Sequence, residues 1–79
     1  MKLQEFLNEN GPRKTATKLV EIRIFRIMGL SMQDLPDSTQ LWDIVDEIES
    51  LLEECDFKME TIKDLLNEIT FEFIEEICW

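Results

Sequence analysis

The sequence predicts an all-α protein, a small three- to four-helix bundle, and three observations carry that prediction. Residues 39–54 place apolar side chains every three to four positions, the period of a helix with one buried face. Residues 59–77 repeat the pattern. Only two Gly and two Pro interrupt a chain that is 44% hydrophobic, a composition of folded rather than disordered proteins. A minor alternative is an α+β fold with short strands near 19–27 and 69–74. At 79 residues the chain is read as a single acidic helical domain over 1–79.

The first element is a short helix over 2–9, with Leu3, Phe6 and Leu7 on one side and Asn10, Gly11 and Pro12 stopping it. The segment from Arg13 to Met28 follows, with Gly29 placed as its C-cap. Its apolar residues (Leu19, Val20, Ile22, Ile24, Phe25, Ile27, Met28) go nearly all round a helical wheel, which suits a central buried helix. Its β-branched content also permits a strand, whose one available partner is 69–74. Helix is favoured, because a lone strand leaves its backbone unpaired.

Leu30 to Thr39 is a connector ending in Asp37, Ser38 and Thr39, where Asp37 or Ser38 caps the next helix. That helix, about Thr39 to Glu54, is the clearest in the chain. Leu41, Ile44, Val45, Ile48, Leu51, Leu52 and Cys55 share its apolar face, with Trp42 at the edge. Asp43, Asp46, Glu47, Glu53 and Glu54 cover the other side. The final helix is expected to run unbroken from about Met59 to Ile77, with Ile62, Leu65, Leu66, Ile69, Phe73 and Ile77 as its core stripe. Asp64, Glu68 and Glu75 sit away from that stripe. Phe71, Ile74 and Cys78 form a second apolar line, with Trp79 beside it. The faces of these two amphipathic helices are expected to pack together.

Charge is unevenly spread. Up to Met28 there are six Lys or Arg against three Asp or Glu, giving +3; from Gly29 onward two face fifteen, giving −13. Such asymmetry speaks to partners and association rates rather than to fold. The acidic part is repelled by nucleic acid and by anionic membrane, so neither is expected as a direct partner; it is attracted to basic protein surfaces, including those that hold DNA or RNA. No apolar run reaches membrane-spanning length, and Met1 to Asn10 is too polar for a signal peptide, so an intracellular, cytoplasmic protein is expected. A Cys55–Cys78 bridge stays open, though reduced thiols fit that compartment.

Catalytic motifs are absent. With no His, the Ser–His and Cys–His nucleophile pairs and most zinc sites are excluded. There is no CxxC, no GxGxxG, no GxxxxGK[ST] and no EF-hand loop. The carboxylates face away from the apolar stripes, where water solvates each one, rather than converging as a magnesium site requires. The protein is expected not to be an enzyme and to take neither cofactor nor metal. Arg13, Lys14 and Lys18 make only a small basic cluster, and neutralisation against the acidic helices is favoured over contact with nucleic acid.

Asp34-Leu35-Pro36-Asp37-Ser38, followed by an acidic amphipathic helix, resembles the Asp-Ser-Leu region of acyl carrier proteins. That resemblance implies a phosphopantetheine attachment site at Ser38. Thr39 stands where that family has Leu, and helix capping accounts for the same serine.

The function expected from these features is that of a non-catalytic acidic binding protein occupying a basic site on another protein, such as a nucleic-acid-binding protein. Its sharpest form is a nucleic-acid mimic, a viral inhibitor of the kind phages direct at host defence. Carboxylates every three or four residues give a negative row at about 5 Å per turn, comparable with the charge density of duplex DNA. Solubility alone accounts for the same acids. The expected acidic contact face is Asp43, Asp46, Glu47, Glu53, Glu54, Asp64, Glu68 and Glu75. The expected apolar contact is Phe71, Ile74, Cys78 and Trp79, which also leaves open an adaptor module or a homodimer, or else packing on the N-terminal helix.

Overall fold

A glycine at position 11 bends the first helix. The computed structural model describes residues 3–54 and 56–78. Hydrogen bonding carries α1 from Leu3 to Met28, but Gly11 sits at φ 86° and ψ 167°, outside any helical conformation. Only glycine occupies that region readily. Asn10 closes the first arm by donating from Nδ2 to the Phe6 carbonyl at 3.1 Å. Pro12 opens the second arm, where its missing N–H leaves no gap in the ladder. The expected stop at 10–12 is therefore a bend between two arms. Thr15 is fully buried, and its hydroxyl donates to the Gly11 carbonyl at 2.8 Å, so the joint is anchored from within.

The second arm is helical throughout, and no strand occurs among the described residues, which removes the α+β alternative. It is not buried all round, however. Ala16, Val20 and Ile24, one turn apart, are fully buried, whereas Phe25 is 64% exposed. Ile22 is half-buried. The remaining helices are too short and too few to wrap α1, so its second apolar side faces outward.

Gly29 ends α1 at φ 69°, its N–H bonded to the Phe25 carbonyl at 2.8 Å, the left-handed C-cap that glycine supplies without strain. The connector includes a 3-10 turn at Met32–Asp34. Asp34 fastens it by accepting from the Ser31 N–H and hydroxyl at 3.2 and 3.1 Å. Leu35 then turns into the core.

Helix α2, Thr39–Glu53, starts at Ser38, whose hydroxyl accepts the Leu41 N–H at 3.4 Å. Leu41, Ile44, Val45, Ile48 and Leu52 are buried as the periodicity requires. They pack chiefly on α1, and less on α3. Cys55 lies outside the described residues, so its place on this face and any bridge to Cys78 do too.

The expected long final helix is two helices, α3 at Met59–Asn67 and α4 at Phe71–Cys78. The cause is Thr70. Its hydroxyl accepts the Phe73 N–H at 3.2 Å and so caps a new helix. Meanwhile the Glu68 and Ile69 N–H groups fold back onto Leu65 and Leu66 as a tight final turn of α3. The break rotates one helix against the other. In an unbroken helix Ile69 and Ile74 would point about 140° apart at about 100° per residue; here both are fully buried.

Candidate functional site

The outward side of α2 is an acidic face. Asp43, Asp46, Glu47, Glu53 and Glu54 are all exposed, while the buried positions between them fix the rotation of the helix against α1. Glu54 is the C-cap rather than a helical residue. Asp64 on α3 and Glu68, its C-cap, are exposed as well; Glu75 on α4 is half-buried and so less accessible.

Arg13 modifies this face. Its Nη1 donates to Asp46 Oδ1, and it lies 3.4 Å from Glu49 Oε1. Its guanidinium also lies over the Trp42 ring, 5.3 Å from the centroid, in cation–π contact. The hydrogen bond to Asp46 is the main cause of an Arg13 pKa above its ordinary value, and the charges of Asp46 and Glu49 add to it. Asp46 is thus engaged within the chain, and among the described residues the other acids proposed for this face form no ion pair. Sequence reasoning foresaw neutralisation of the acidic helices by Arg13, Lys14 and Lys18, but not that Arg13 does so through Asp46 and Glu49 while lying over Trp42. The signal was present: Trp42, Asp46 and Glu49 follow one another at three- and four-residue steps on one edge of α2.

Beside this group a shallow depression is lined by Asp37, Ser38, Thr39, Trp42, Asp43 and Asp46. An exposed indole ringed by carboxylates suits a partner's arginine or lysine, since the ring face attracts a cation and the acids neutralise it. Ser38 belongs to this rim, with its hydroxyl bonded as the helix cap.

The C-terminal end of α2 is charged against its own dipole. Glu53 and Glu54 stand where the unsatisfied carbonyls already give a partial negative charge, and the last turns of α2, α3 and α4 hold no basic residue. This placement costs the isolated fold some stability.

The expected apolar contact does not hold together. Ile74 is fully buried and so is no part of a surface, because the break at Thr70 turns it inward. Phe71 remains 53% exposed, and Cys78 is half-buried against the core. Trp79 lies outside the described residues. Among the described residues no group of three metal-binding side chains converges, and no helix is long and apolar enough to cross a membrane.

Comparison of the chain with protein-family models, with curated proteins and with solved structures gives no match in any of the three.

Proposed function

We propose that the protein acts as a non-catalytic acidic ligand, presenting the α2 face to a basic, nucleic-acid-binding surface of another protein and competing there with DNA or RNA. The observation that carries this reading is the acidic face itself: Asp43 stands exposed beside Trp42, Glu47 follows one turn on, and Glu53 and Glu54 crowd the far end of the helix, where negative charge is unfavourable. Solubility requires dispersed charge, not charge set against a helix dipole. A basic partner turns that arrangement from a cost into an attraction. Trp42 supplies the aromatic anchor that protein interfaces favour, and the flanking acids steer the approach.

The experiment begins with capture of partners from the native host and is decided on the purified partner. Binding should weaken as salt rises from about 50 to about 200 mM, as contacts between basic surfaces and phosphate-like charge do. Labelled duplex DNA or RNA should be displaced from the partner by this protein. Reversing Asp43, Glu47 and Glu53 to Lys should reduce the association rate most; Asp46 is left intact because it holds Arg13. A partner that binds equally well at both salt concentrations, and equally well to the triple variant, would dispose of the proposal.

A further inference from the structure

Two exposed phenylalanines sit in patches of opposite charge. Phe25 on α1 lines a depression with Lys18, Ile22 and Arg26. Ile22 and Arg26 continue into a second groove, shared with Arg23 and with Lys63 of α3. Lys18, Arg23, Arg26 and Lys63 are four of the chain's eight Lys and Arg, and they line these two neighbouring grooves with Glu21 as the one acid lining either, in a chain of net charge −10. Phe71, 53% exposed, opens α4, where the charge is wholly negative. Helical spacing puts Glu75 one turn beyond Phe71, and Glu76 one turn beyond Glu72.

The two patches adjoin. Arg23 Nε donates to the Ile69 carbonyl at 3.1 Å, which fixes the start of α4 beside the basic side of α1. A surface carrying both halves of a complementary pair can close on itself through a two-fold axis, each half meeting the other half of the second molecule.

We infer that this face binds a second copy of the chain. Phe25 and its cations in one molecule meet Phe71 and its acids in the other, and the contact occurs twice. Charge complementarity selects this occupant: the basic patch needs an acidic apolar surface, and α4 of the same chain presents one. At a Debye length of about 8 Å the facing charges act across the contact, while most of the remaining negative charge is screened. Asp43, Glu47 and Glu53 of α2 belong to neither patch, so this inference and the proposed function fail independently.

Sedimentation equilibrium of the full chain at about 0.15 M salt tests it. The wild type should dimerise. Arg26→Glu with Lys63→Glu should weaken the dimer by about tenfold or more, because like charges then face each other. Glu72→Lys with Glu76→Lys should do the same. An equimolar mixture of the two variants should recover the dimer, because opposite charges meet again at both contacts. All four side chains are exposed, so folding should survive, with circular dichroism as the check. Phe25→Ser and Phe71→Ser give a second pair of variants that should each weaken the dimer without changing charge. A wild type that stays monomeric at every concentration, or a mixture no more associated than its components, overturns the inference.

Discussion

The guanidinium of Arg23 reaches across the bundle to the backbone carbonyl of Ile69, 46 positions later, at 3.1 Å. That carbonyl lies where α3 has ended and α4 has not begun, so no helical N–H is available to it. The positive charge is also well placed at a helix C-terminus. Arg23→Ala should destabilise the protein by about 1–3 kcal/mol, the usual range for a hydrogen bond from a charged group. Urea unfolding measures the loss, and amide exchange at Ile74 should accelerate in the same variant. An unchanged unfolding midpoint would mean that Thr70 capping alone fixes the break.

Ile74 and Phe71 separate core from surface within one short helix. Ile74→Ala removes a fully buried side chain and should cost about 2–5 kcal/mol. Phe71→Ala, at a half-exposed position, should change the stability of the monomer by less than about 1 kcal/mol. Thermal unfolding of dilute protein distinguishes them. Equal effects would show that α4 is rotated from the orientation described.

Ile48 should behave as a centre of the core. It is fully buried on the face of α2 that packs on α1. Its truncation to Ala should cost about 2–5 kcal/mol, and a neutral result in urea unfolding would refute the assigned face.

Salt should act on the free protein and on its complex in opposite senses. From Gly29 onward the chain carries −13, and folding brings those charges together. Screening should relieve that repulsion and raise the melting temperature between about 0.01 and about 0.1 M salt, as the Debye length shrinks from about 30 to about 10 Å. The same screening weakens attraction to a basic partner. A melting temperature that falls with salt would mean that ion pairs such as Arg13–Asp46 outweigh the net repulsion.

Removal of Arg13 should uncover charge. Arg13→Gln leaves Asp46 and Glu49 without the cation now beside them. Association of an arginine-rich peptide with the α2 face should accelerate, most strongly at low ionic strength, with a small loss of stability. Stopped-flow mixing reads the rate; a slower association in the variant would place the peptide elsewhere.

Much of this architecture was legible in the sequence because burial and periodicity coincide in α2. Leu41, Ile44, Ile48 and Leu52 repeat at three- and four-residue steps, and one face of the helix is nearly all polar. The break at Thr70 was not legible, because a threonine inside an apolar repeat has no visible signature until its hydroxyl is seen accepting the Phe73 N–H. The misplacement of Ile74 followed directly from that break. Phe25 misled for another reason: apolar residues on every side of α1 suggested complete burial, whereas α3 and α4, at nine and eight residues, leave one side open. The acidic face of α2 was readable, and so was Arg13 as one of its neutralising cations, but the pairing with Asp46 was not, since the two are joined by the tertiary fold alone.

The bend at Gly11 is a matter of handedness rather than of size. A methyl group added there in the natural configuration would touch nothing within 4 Å, yet the backbone angles of 86° and 167° belong to the half of conformational space that L-residues avoid. Inverted in sign, the same angles are ordinary extended backbone. A chemically synthesised chain carrying D-alanine at position 11 would thus meet no backbone strain at the joint and would have fewer unfolded conformations to surrender, whereas L-alanine at that position must be forced into place. Glycine at this position is the genetically encoded substitute for a mirror-image residue.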